Sequence, residues 1–109
     1  MAYDEGLAAR LRDLLEDTRG ADERAMFGGL AFLLRGNMCC GIIGDELIVR
    51  VGPERYEHAL AQPHTRVFDL TGRTMKGWVV VTADGYETDE ALAAWVRQGV
   101  DFALSLPPK

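Results

Sequence analysis

Two glycine-containing dipeptides, Gly36-Asn37 and Gly44-Asp45, divide the middle of this chain into three short runs, and that spacing constrains the fold more than any other feature. Before the first dipeptide, Leu30, Phe32 and Leu34 alternate with Ala31, Leu33 and Arg35. Between the two lies Met38-Cys39-Cys40-Gly41-Ile42-Ile43, and after the second comes Glu46-Leu47-Ile48-Val49-Arg50-Val51. Tight hairpin turns need positive φ at their centre, which glycine, asparagine and aspartate tolerate. An antiparallel meander of three strands is the expectation.

The flanking segments read as helices with recognisable ends. Asp4 can cap a first helix carrying Leu7, Leu11, Leu14 and Leu15 on one stripe, with Gly20 as its stop and Arg10, Arg12, Asp13, Glu16 and Asp17 on a solvated face. Gly52-Pro53-Glu54 opens a short helix, proline suiting its first position, with Tyr56, Ala59 and Leu60 on one side until Pro63. Val67–Leu70 and Gly77–Thr82 form a second hairpin around Thr71-Gly72-Arg73. Thr88 caps a last helix on which Leu92, Trp95, Val96, Gly99, Phe102, Ala103 and Leu106 recur at three and four residues until Pro107-Pro108. The order is α-β(3)-α-β(2)-α, an α+β fold of two layers with an antiparallel sheet.

With 109 residues, 48% of them apolar and 27% charged, one core spanning positions 1–109 is expected, with no need for a metal or a disulfide. The net charge of −5 and the lack of a run of adjacent cations argue against direct nucleic-acid binding, whose affinity comes largely from phosphate neutralisation. Cys39 and Cys40 are neighbours in a strand, so their side chains should point to opposite faces and remain reduced thiols. The amphipathic opening and the absence of a long apolar run predict a cytoplasmic protein with no membrane association.

Four segments in register carry a family resemblance: Met26-Phe27-Gly28-Gly29; Gly36-Asn37-Met38 with Gly41-Ile42; Leu47-Ile48-Val49-Arg50-Val51-Gly52-Pro53; and Met75-Lys76-Gly77-Trp78-Val79. In this order and spacing the chain resembles the N-terminal domain of the TfoX/Sxy family, from about the first helix to Leu106. The resemblance implies a two-layer α/β fold of the secretion-chaperone-like kind, with the element order derived above. In two-domain members, as the resemblance implies, this domain precedes a helical one and the whole protein promotes competence-gene expression together with the cyclic-AMP receptor protein. Stand-alone members have no established activity, and the family offers no catalytic residues to carry over. The sequence departs from the family pattern at Cys39-Cys40, where an aromatic or aliphatic residue beside a small one is more usual.

Each candidate site has a plain structural alternative. His58 and His64 are the only histidines; zinc needs about four ligands, so both are read as solvent-facing, and no metal, cofactor or catalytic group is expected. A reactive thiol at Cys39 or Cys40 would require a nearby cation such as Arg35 or Arg50; otherwise one of the pair is a small core residue. Gly28-Gly29 is read as a bulge or a close backbone approach, because a strand and not a helix follows it. Arg50, Arg73, Lys76 and Trp78 are the candidate contact residues for a partner protein or an anionic ligand. Against this, Trp78 can pack in the core, Gly77 relieve crowding and Lys76 lie in solvent, while Trp95 and Phe102 belong to the core face of the last helix. The leading reading is a non-enzymatic, homodimeric module that binds a protein partner; the alternatives are a direct nucleic-acid regulator and a binder of a small anion.

Overall fold

A computed structural model describes residues 3–26, 28–70 and 72–108. Its elements are α1 (Glu5–Leu15), β1 (Ala21–Met26), β2 (Gly29–Leu34), β3 (Asn37–Ile43), β4 (Glu46–Arg50), α2 (Tyr56–Leu60), β5 (Thr65–Leu70), β6 (Arg73–Val81), a 3-10 turn at Ala83–Gly85, and α3 (Asp89–Ser105). The strands form one six-stranded sheet in the order β1-β2-β3-β4-β6-β5, and every neighbouring pair is antiparallel. The α+β class with an antiparallel sheet is as the sequence predicts. The meander, however, has four strands and not three. All six residues of β1 are exposed, so no apolar alternation marks it in the sequence.

The first turn sits one residue earlier than the glycine-asparagine spacing suggests. Arg35 and Gly36 occupy its centre with φ of 53° and 85°, the pair of positive values a type I′ hairpin requires. Asn37 is thereby drawn into β3, only 2% exposed, where its Nδ2 donates to the Pro107 carbonyl at 2.9 Å and ties down the chain beyond α3. At the second turn Gly44 comes first with φ 61°, as type II′ needs.

All three helices contribute to the main core on one face of the sheet. Leu7, Ala8, Leu11 and Leu15 of α1, Ala59 of α2, and Leu92, Trp95, Val96 and Ala103 of α3 pack with Leu30, Phe32, Leu34, Ile42, Leu47, Val49, Val79 and Val81. α3 lies against β3 so closely that a Cβ at Gly99 would fall 2.3 Å from the Cys39 carbonyl oxygen. Asp4 and Thr88 cap α1 and α3 as expected, accepting from the Leu7 and Ala91 N–H groups at 3.0 Å. α1 ends at Leu15, short of Gly20, and Leu14 is left 39% exposed, off the buried stripe. α2 begins at Tyr56, so Pro53 belongs to the preceding turn and not to the first helical position.

The opposite face is covered by its own side chains. Ala31, Leu33 and Met38 form one buried group, Ile48, Phe68 and Val80 another, and half-buried Trp78 touches both. This second group explains why the runs in β2 and β3 are apolar at nearly every position rather than alternating: both faces of the sheet's centre are buried.

A bulge corrects the reading of the cysteines. The register of β2 against β3 shifts between Phe32 and Leu33, so Cys40 pairs with Phe32 while Met38 pairs with Leu33, and Cys39 is the extra residue. Both cysteines therefore enter the helix-facing core, with their Sγ atoms 3.8 Å apart. They are free thiols, as expected, and not on opposite faces.

Candidate functional site

The second hairpin, read from the sequence as Val67–Leu70 and Gly77–Thr82, is longer: β5 begins at Thr65 and β6 at Arg73. Along it the register of β5 against β6 runs Val67↔Val79 and then Asp69↔Thr74, so the single residue Phe68 stands opposite Met75, Lys76, Gly77 and Trp78. The motif Met75-Lys76-Gly77-Trp78 is thus a bulge in β6. Gly77 adopts φ 88° within it, and its carbonyl accepts from both Val51 N–H (2.8 Å) and Gly52 N–H (3.0 Å). Those two bonds fasten the end of β4 to the bulge. Gly52 itself has φ 87°, and a Cβ there would lie 2.4 Å from the Phe102 ring. Glycine is required at this crossing, because only a bare backbone passes between β6 and α3.

The crossing brings Arg50, Lys76, Trp78 and Phe102 together. Arg50 and Trp78 are cross-strand partners, and the Arg50 guanidinium carbon lies 5.1 Å from the Trp78 ring centroid and 5.2 Å from that of Phe102. Both contacts are within the range in which a cation is attracted by an aromatic ring. Trp78 is buttressed from behind by Phe68, with ring centroids 6.1 Å apart and planes tilted by 47°. Arg50, Lys76, Trp78 and Phe102 line a cleft of about 110 Å³ with Gly52, Pro53 and Gly77. Phe102 also lines a larger cleft of about 280 Å³, together with Arg55 and Asp101, which form an ion pair at 3.6 Å.

The electrostatics of Arg50 set it apart. Partial burial lowers its pKa from the ordinary arginine value. Among the described residues no carboxylate lies within ion-pairing distance of it, whereas Arg10, Arg12, Arg55 and Arg66 each have one. A guanidinium held against two rings, with no hydrogen-bond acceptor taking its N–H groups among the described residues, presents fixed donors to an anion from outside. The smaller cleft contains no carboxylate, imidazole, thiol or hydroxyl side chain. It offers two positive charges and aromatic surface.

The sequence-derived candidates divide accordingly. Arg50, Lys76 and Trp78 share the cleft, while Arg73, exposed at the start of β6 opposite Leu70, is not among its lining residues. Phe102, assigned to the core from its helical spacing, is half-buried and completes the site. No sequence signal separates it from Trp95, which is 7% exposed in the main core. His58 and His64 are both exposed, and among the described residues no group of three or more His, Cys, Asp and Glu side chains is placed to hold a metal ion. Both thiols lie in the apolar helix-facing core, where Cys40 faces Val49 and Phe32 across the sheet. Its hydrogen bond with Cys39 and its burial hold the Cys40 thiol well above the ordinary range. At Gly29 a Cβ would fall 2.0 Å from the Ile42 carbonyl oxygen, so the close backbone approach read from Gly28-Gly29 is present.

The family model of the TfoX N-terminal domain matches residues 13–103, which span from the last turn of α1 to the last turn of α3. The chain belongs to the TfoX N-terminal domain family. None of the curated proteins compared with it matches significantly. Within this TfoX domain, the segments that carried the resemblance have structural explanations. Gly29 marks the approach of β2 to β3, Gly52 the crossing under Phe102, and Met75–Trp78 the bulge. No helix among the described residues is long and apolar enough to cross a membrane.

Proposed function

We propose that this TfoX domain is a non-enzymatic binding module that docks an acidic segment of a partner protein at the Arg50–Lys76–Trp78–Phe102 cleft, serving regulation of the kind the family resemblance implies. The observation that carries this reading is the Arg50 guanidinium, held against two aromatic rings with no carboxylate at ion-pairing distance among the described residues. Leaving a cation partly desolvated and unpaired is unfavourable unless something outside supplies the anion. Lys76, exposed on the bulge beside it, adds a second positive charge, and the rings provide the apolar contact that protein interfaces use as anchors. Two cations and two rings lining one cleft suit the holding of an anionic segment.

The test is fluorescence anisotropy with a labelled hexaglutamate peptide at low ionic strength. Wild-type protein should bind, the affinity should fall with added salt, and Arg50→Met, which keeps a chain of similar shape over the rings, should weaken binding at least about tenfold, a loss of about 1.4 kcal/mol. Equal binding by the variant, or none by the wild type, would overturn the assignment. Duplex DNA in the same assay addresses the nucleic-acid reading: binding at low salt that Arg50→Met abolishes would transfer the site to that class.

A further inference from the structure

β1 is an edge of the sheet, with β2 as its strand neighbour, and its six residues Ala-Asp-Glu-Arg-Ala-Met are exposed throughout. An open edge is a template for another strand unless something blunts it. Its backbone parity follows from the hydrogen bonds. Arg35 N–H donates to the Gly20 carbonyl at 3.1 Å, which makes Gly20/Arg35 a hydrogen-bonded pair, and the register then continues without a shift from Ala21↔Leu34 to Met26↔Gly29. Hydrogen-bonded and non-hydrogen-bonded pairs alternate in an antiparallel ladder. The N–H and C=O groups of Ala21, Glu23 and Ala25 therefore point away from the sheet. Two independent bonds agree: Ala21 N–H donates to Thr18 and Glu23 N–H to the Asp22 carboxylate, neither acceptor in β2, and a strand added at this edge exchanges these local acceptors for its own carbonyls.

Only a few ways exist to pair this edge with itself about a two-fold axis, because outward residues must face outward residues. Centring on Asp22 puts Asp22 against its own copy, and centring on Arg24 puts Arg24 against its copy; both place like charges face to face. Centring on Glu23 sets Ala21 opposite Ala25 and Asp22 opposite Arg24, twice over by symmetry. The two Glu23 side chains then meet at the axis, but each carboxylate is already held by its own Arg12 through bonds of 2.9 and 2.8 Å. Arg24 has no ion-pair partner among the described residues, and Asp22 is engaged only by the next N–H in its own chain.

We infer that β1 pairs antiparallel with β1 of a second copy of this chain, centred on Glu23, joining two six-stranded sheets into one continuous sheet with reciprocal Asp22–Arg24 ion pairs. The charges that would repel an arbitrary strand select the chain's own copy in this register. A single strand pair buries little area by the standard of stable complexes, so the dimer dissociates in the range of about tens to hundreds of micromolar. It lies away from the Arg50 cleft and does not depend on it.

Sedimentation equilibrium from about 10 to 500 μM tests this, using surface variants whose folding is checked by circular dichroism and urea midpoint. Wild type should show concentration-dependent dimers. Asp22→Arg alone places Arg against Arg24, Arg24→Asp alone places Asp against Asp22, and each should be monomeric over that range. An equimolar mixture of the two variants should regain the dimer, because each then presents the charge the other lacks. A wild type that stays monomeric at the highest concentration, single variants that dimerise as well as wild type, or a mixture that does not associate would each overturn the inference.

Discussion

Replacing Gly52 with alanine imposes two penalties that a double-mutant cycle can separate. The first is backbone strain: position 52 has φ 87°, and an L residue in left-handed territory costs about 1–2 kcal/mol. The second is steric. The new Cβ would sit 2.4 Å from Phe102 Cδ1 and 2.6 Å from Cε1, far inside ordinary contact. Pushing the ring aside or lifting the strand end resembles overpacking a core, at about 1–3 kcal/mol. Together Gly52→Ala should lose about 2–5 kcal/mol, a large share of the roughly 5–15 kcal/mol a domain possesses. Phe102→Ala removes a half-buried ring and should cost less than the about 3–5 kcal/mol of a fully buried phenylalanine. In the double variant the overlap vanishes and only the backbone strain remains. Urea denaturation of the four proteins should therefore show the double variant more stable than the sum of the singles predicts, by about 1–3 kcal/mol. Gly99→Ala is the control, since its Cβ would meet the Cys39 backbone and not Phe102, and its cost should add to that of Phe102→Ala. Additivity of Gly52→Ala and Phe102→Ala within about 0.5 kcal/mol would refute the claim that the ring is what keeps position 52 bare.

Asn37→Asp should destabilise the protein by about 1–3 kcal/mol in the same urea assay, because a carboxylate of equal size cannot donate to the Pro107 carbonyl and is left buried; an unchanged midpoint would show that this clamp contributes nothing. Arg12 and Arg66 hold the Glu23 and Glu46 carboxyls below the usual range through hydrogen bonds. Their folded pKa values lie below the unfolded ones, so the associated stability is present above the unfolded value of about 4.3 and is lost as pH falls through the folded values. Urea midpoints measured from pH 7 to 3 should stay level at first and drop below about pH 4, with a shallower drop in the Glu23→Gln/Glu46→Gln variant. Both cysteines are fully buried, so a thiol reagent such as Ellman's should find almost no reactivity in native protein and two thiols in urea; rapid native reaction would show that the core opens around β3.

Much of this architecture is legible along the chain because its signals are local. Asp4 and Thr88 cap their helices through side chains three residues from the N–H groups they accept from. Gly44 needs no distant partner to make its turn. Other elements leave no local trace. β1 becomes a strand by pairing with β2, and nothing in Ala-Asp-Glu-Arg-Ala-Met marks that alternation. The position of the first turn depends on whether Asn37 faces solvent or is recruited by Pro107, seventy residues away in sequence. Arg50 and Lys76 were identifiable as cations, but which of Arg50, Arg73 and Lys76 share a cleft depends on the bulge.

By itself the sequence determined the α+β class, the central antiparallel meander, the two capped helices and the family, since periodicity, capping and turn chemistry act over a few residues. Tertiary structure alone decided the rest. The bulge at Cys39 turns two neighbouring thiols into one core, the bulge at Met75–Trp78 swings Lys76 and Trp78 toward Arg50, and α3 supplies Phe102 to complete the cleft. The reason is physical: a bulge is a disagreement in register between two strands, and register is a property of the pair that neither strand's sequence contains.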